Sequence, residues 1–137
     1  MTDEGSEKRV GADEHLSRFI LNRNHLREDW TLKPDAFIPP PWPDLSVTHR
    51  LQLSEADLWN IGGDVARRTG KTLRGRADVQ AFQFERHALR VVAAPLAENP
   101  NHANVTGWPA EKPAQKLIAQ EIAAAAGKAR AVPPHSE

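Results

Sequence analysis

The sequence predicts an α+β domain, a largely antiparallel sheet of about five strands packed by two helices, with disordered tails at both ends. Three observations lead there. Leu45, Val47, His49 and Leu51 alternate with Ser46, Thr48 and Arg50, the period of a half-buried strand. After Ser54 the apolar residues recur instead at helical spacing, through Leu58, Ile61, Gly62 and Val65. The elements run strand, strand, strand, helix, strand, strand, helix, which is not the regular alternation of a parallel α/β fold. The chain has 137 residues, enough for one core without disulfides or a structural metal.

Residues 1–14 are polar and aperiodic and read as an acidic disordered tail; residues 15–127 form the folded unit, and 128–137 a second tail. Residues 16–21, with Phe19, Ile20 and Leu21, read as a first strand. Asn22-Arg23-Asn24 is a bend, and residues 30–38 return as a second strand, making a hairpin. Prolines 39, 40, 41 and 43 cannot donate to a ladder, so that stretch is an extended connection. Residues 45–51 form the third strand. Ser54 is an N-cap followed by acids suited to the positive end of a helix, which spans 55–68. Gly62-Gly63 weakens that helix by about 1 kcal/mol per residue and implies a kink or a close approach. Residues 77–84 and 88–94 are β-compatible and read as a hairpin through Glu85-Arg86-His87, and 99–104 as a turn-rich loop. Pro113 opens a second helix that ends near Gly127, with Ala114, Leu117, Ile118, Ile122 and Ala125 as its buried stripe.

Basic and acidic side chains balance at 18 each, yet the charge is sorted along the chain. Residues 1–14 are mainly acidic, whereas Arg67, Arg68, Lys71, Arg74 and Arg76 stand in a connection with two glycines and no acid. Such a run suits a polyanion, nucleic acid or phosphate, because arginine offers a planar donor fork to phosphate oxygens. The plainer alternative is a helix C-terminus, where cations favour the dipole, followed by a solvated connection. The acidic tail is also a possible intramolecular mimic of the polyanion.

Zero cysteines exclude disulfides, thiolate metal sites and cysteine nucleophiles and fit a reducing compartment. No apolar run approaches the roughly 18–20 residues that span a bilayer, and the start does not read as a signal peptide, so the expectation is a cytoplasmic protein with no membrane partner. Asn104-Val105-Thr106 matches a glycosylation sequon and reads as chance. Thr69-Gly70-Lys71-Thr72 is similar to the end of a P-loop, but Val65 stands where the first glycine belongs and a helix precedes it. Dinucleotide, nucleophile-elbow and zincin motifs are absent, so no cofactor and no metal is expected.

Histidine is the remaining route to catalysis. His25, His49 and His102, with Arg50, are the candidates for a metal-independent phosphodiesterase or ribonuclease-like enzyme, in which a histidine pair does acid–base work and an arginine stabilises the phosphorane. That chemistry requires two of the three to face one concave site with an arginine. Their ordinary alternatives are a core-facing imidazole for His49 and turn polarity for His25 and His102. A binding module is the favoured reading. It would use the basic connection for a polyanion, or Trp30, Pro40 and Trp42 as a proline-rich surface for a protein partner.

Overall fold

Six strands form one antiparallel sheet in the computed structural model, which describes residues 8–40 and 44–133. They are β1 (His15–Ile20), β2 (Leu45–His49), β3 (Gly75–Gln80), β4 (Arg90–Ala93), β5 (His102–Thr106) and β6 (Arg130–Ala131), in the spatial order β4-β5-β2-β1-β3-β6. Helices α1 (Glu55–Thr69) and α3 (Lys112–Ala126) are long, and α2 (Phe82–Glu85) is a single turn. Among the described residues no helix is long and apolar enough to cross a membrane.

The period-two pattern sorts the sheet into an apolar and a polar face. Leu16, Ile20, Leu45, Val47, Ala77, Val79, Val91, Ala103 and Val105 share one face and pack with Phe37, Phe84 and the Ala119, Ile122 and Ala123 stripe of α3. The opposite face carries Ser17, Phe19, Thr48, Arg76 and Asp78, and α1 is packed over it. Ser54 caps α1 by accepting from Asp57 N at 3.0 Å, and Gly70 ends it in the left-handed conformation. The Gly62 signal resolves as a close approach: a Cβ there would lie 2.7 Å from the ring of Phe19.

Several expectations are corrected. Residues 30–38 do not return as a strand. Pro34 opens a 3-10 turn, Pro34–Phe37, because its fixed φ suits a first helical position, and it carries Ala36 and Phe37 into the core. The hairpin expected between 77–84 and 88–94 does not form either: α2 interrupts the first run and buries Phe84, and β4 lies at the far end of the sheet beside β5. The turn-rich loop is shorter than expected, since His102–Thr106 is the strand that joins β4 to β2. The stripe of α3 keeps Ile122 and the partly buried Ile118 but otherwise shifts to Gln115, Ala119 and Ala123, leaving Leu117 65% exposed, and Leu51 lies beyond β2 and is also exposed.

Order also extends further in both directions. Val10 is buried and its N–H donates to Val91 O at 3.0 Å, while Ala93 N donates to Lys8 O at 2.8 Å, so this segment covers the β4 edge. At the other end β6 pairs Ala131 with Gly75. Residues 1–7 and 134–137 lie outside the described residues.

Candidate functional site

The sheet is unevenly joined at its middle. The β1–β3 ladder runs the length of β1, from His15 opposite Gln80 to Ile20 opposite Gly75. Across the other edge of β1, only Leu16 opposite His49 and Ser17 opposite Thr48 are paired. Beyond Ser17 the two strands part, and β2 stays with β5 from Leu45 to Thr48. The sheet therefore consists of two three-stranded halves, joined at one end and split at the other.

Arg18 occupies the split. It shares the apolar phase of β1 with Leu16 and Ile20, so its stem points into the core side. Its Nε donates to Ala36 O and its Nη1 to Ser46 O, both at 3.0 Å, which ties the 3-10 turn and β2 to β1 where the ladder has stopped. No carboxylate among the described residues pairs with it, and Nη2 makes no hydrogen bond there. Burial alone pushes its pKa down to about 10, with no opposing acid strong enough to hold the charge.

Two concavities meet at this arginine, each lined by Arg18 and Ser46. A cleft of about 270 Å³ lies between the C-terminal half of α1 and the loop before β5. Phe19, Val65 and Leu96 make it mainly apolar, and Thr48, Arg68, Glu98 and His102 give it polar edges. The His102 Nδ1–H donates to Ala94 O at 2.9 Å, because a carbonyl can only accept; in the neutral ring Nε2 is then the acceptor. Asn99 supports the floor, donating to Thr48 Oγ1 at 3.0 Å. The second concavity, a basin of about 410 Å³, is lined by His25, Asp35, Pro40 and Lys112. Burial holds the His25 pKa below its ordinary value, with Arg18, Lys71 and Lys33 adding to the effect and Asp35 opposing it. The potential around His25 is therefore positive.

Three of the five cations in the basic connection form ion pairs, two of them with one shared carboxylate. Arg68 Nε bonds Asp64 Oδ2 at 2.7 Å and Arg67 Nη2 bonds Asp64 Oδ1 at 3.3 Å. Arg76 is fully buried, which overturns its assignment to a polyanion surface. It makes a fork to Glu55 (Nη1–Oε1 and Nη2–Oε2, both 2.9 Å), bonds Asp78 at 2.9 and 3.1 Å, and lies 4.7 Å from the centre of the Trp59 ring. Burial opposes its charge, but these carboxylates outweigh it and raise the pKa. Arg50 belongs to the same network, through Glu55 at 2.9 Å and Asp78 at 3.3 Å, and so stands apart from the histidines it was grouped with. Lys71 is exposed, and Arg74 is half-buried with Nε unpartnered. These two are the members of the run that carry no ion pair among the described residues.

The three candidate histidines do not converge. The cleft holds His102, the basin holds His25, and His49 is bonded through Nε2 to Glu14 instead. Among the described residues of the acidic segment, Glu14 thus contacts His49. Trp30 is partly exposed and lies against Gly75 near β6, whereas Pro40 lines the basin; Trp42 lies outside the described residues. Among the described residues no group of three His, Asp or Glu side chains is placed to hold a metal ion. Arg18 and Lys112 escaped sequence reasoning. The available sign was a cation in phase with Leu16 and Ile20 on an otherwise apolar strand face. No family model matches the chain, and no curated protein or solved structure matches it.

Proposed function

We propose that the protein is a noncatalytic binding module for an anionic ligand, a nucleic acid or another polyanion, and that the ligand is held at the split between β1 and β2. The observation that carries this reading is Arg18. A half-buried guanidinium with only two carbonyl acceptors is partly desolvated and lacks, among the described residues, the anion that would offset this. An anion reaching Nη2 supplies it. His25 and Lys112 in the basin, with Lys71 nearby in the field at His25, add to the attraction. The separation of the histidines favours binding over two-histidine cleavage.

The test is fluorescence anisotropy with labelled single-stranded RNA and duplex DNA across a salt series. Four proteins are compared: the native chain, Arg18→Gln, Lys112→Gln, and a variant carrying Lys71→Gln and Arg74→Gln. Binding that weakens with salt and falls at least tenfold in Arg18→Gln supports the reading. Loss only in the Lys71/Arg74 variant moves the site back to the connection. No binding at low salt sinks the polyanion reading and leaves a protein partner of the Trp30 and Pro40 surfaces.

A further inference from the structure

The two concavities at Arg18 differ in chemistry, and the difference specifies a ligand more narrowly than charge does. We infer that the cleft and the split together form a site for one nucleoside monophosphate unit, with the base in the cleft between α1 and the loop before β5 and the phosphate on Arg18. This rests on the anion-binding reading above and deepens it.

The cleft has apolar walls from Phe19, Val65 and Leu96, so it favours an organic body over a bare ion. A purely aliphatic body would leave the acceptor nitrogen of half-buried His102 without a partner, at a cost. A flat heteroaromatic ring satisfies both requirements, since its faces are apolar and its edge presents donors and acceptors to Thr48, Glu98 and His102. Arg68 is held by Asp64 at the rim, so its planar group is available to stack and not to bind the phosphate. Size sets a limit: about 270 Å³ lies just below the usual range of small-molecule sites, roughly 300–1,000 Å³, so the cleft takes a single base and not a strand. Arg18 lines the same cleft and supplies the one cation there without a carboxylate partner among the described residues. A planar fork suits a phosphate dianion, and a free nucleotide and the phosphorylated end of a strand present the same unit.

Isothermal titration calorimetry of the full chain decides it, with inorganic phosphate, adenosine, AMP, UMP, and an oligoadenylate with and without a 5′-phosphate. A nucleotide should bind at least tenfold tighter than either phosphate or its nucleoside. Arg18→Gln should lose that tenfold advantage over adenosine. Val65→Trp, which fills the cleft without touching the cation, should lose the nucleotide and keep whatever affinity phosphate shows. Equal affinity for phosphate and AMP overturns the inference, as does a Val65→Trp protein that still binds AMP. If AMP, UMP and the phosphorylated end all fail while longer strands bind in a salt-dependent way, the nucleotide site is wrong and the polyanion module stands. If nothing binds, both fall. Tighter binding of the phosphorylated oligonucleotide than of AMP identifies a strand end as the source.

Discussion

Arg18 donates through Nη1 to the main-chain carbonyl of Ser46 at 3.0 Å, spanning the point at which β1 and β2 cease to pair. A side chain here stands in for a ladder hydrogen bond, and its half-buried charge has no acid beside it among the described residues. These two facts predict opposite consequences for stability. The lost carbonyl contacts cost about 1.5–3 kcal/mol each where the donor is charged, whereas removing a half-buried cation with no acid beside it returns part of its desolvation penalty. Arg18→Met should therefore change the stability read from urea unfolding by less than about 1.5 kcal/mol while lowering oligonucleotide affinity at least tenfold. A loss above about 3 kcal/mol would make Arg18 chiefly a strap across the sheet.

The Arg76 network should behave differently, because its charges are matched. Arg76 is completely enclosed between Glu55, Asp78 and Trp59, and Arg76→Gln leaves Asp78 short of its main partner. Breaking a fully buried pair from one side costs about 3–5 kcal/mol, and less here because Glu55 is 56% exposed and Asp78 keeps Arg50 and Arg130. The variant should lose about 1–3 kcal/mol in urea unfolding. The hydrogen bonds from Arg76 also hold the Glu55 carboxyl below its ordinary value. A depressed carboxylate contributes stability that is present above its unfolded pKa, near 4.5, and is lost as pH falls through the folded one. The native protein should weaken as pH falls below that value, and Arg76→Gln should show a shallower decline over the same window.

The adjacent glycines of α1 offer a paired comparison. Alanine in place of glycine favours a helix by about 1 kcal/mol when nothing is in the way. At Gly62 a Cβ would meet the Phe19 ring at 2.7 Å, and overpacking of that kind costs about 1–3 kcal/mol. At Gly63 its nearest neighbour is Arg67 Nη1 at 3.6 Å, an ordinary contact. Gly63→Ala should raise the thermal midpoint and Gly62→Ala should lower it. Two shifts of the same sign would contradict the packing of α1 on β1.

These comparisons mark what the sequence made legible. Helix α1 was readable from its N-cap because Ser54 acts locally, and β2 because Leu45 and Val47 alternate against a buried face. Strand β5 was hidden: His102, Asn104 and Thr106 face the polar side, and asparagine and proline before them resemble a loop. The position of β4 beside β5 depends on long-range pairing that no local pattern carries. The basic run misled for a similar reason. Asp64 lies one helical turn before Arg67 and Arg68, within sequence reach, but Glu55 and Asp78 meet Arg76 only once the sheet and α1 are stacked.

His25 links binding to pH. Burial and the neighbouring Arg18, Lys71 and Lys33 keep its folded pKa below the ordinary 6.5. Between those two values the unfolded chain takes up more protons than the native one, so this group's share of stability is present above about 6.5 and lost as pH falls toward the folded pKa. An anion in the basin reverses the field at the imidazole and favours its protonated form. Affinity for a single-stranded oligonucleotide should therefore increase as pH drops from about 7.5 to 5.5, accompanied by net proton uptake on binding. Titrations in buffers of different ionisation enthalpy measure that uptake directly. His25→Gln should bind with a flatter pH profile and take up correspondingly less. If the variant keeps the full slope and uptake, the titrating group is elsewhere and the basin does not face the bound anion.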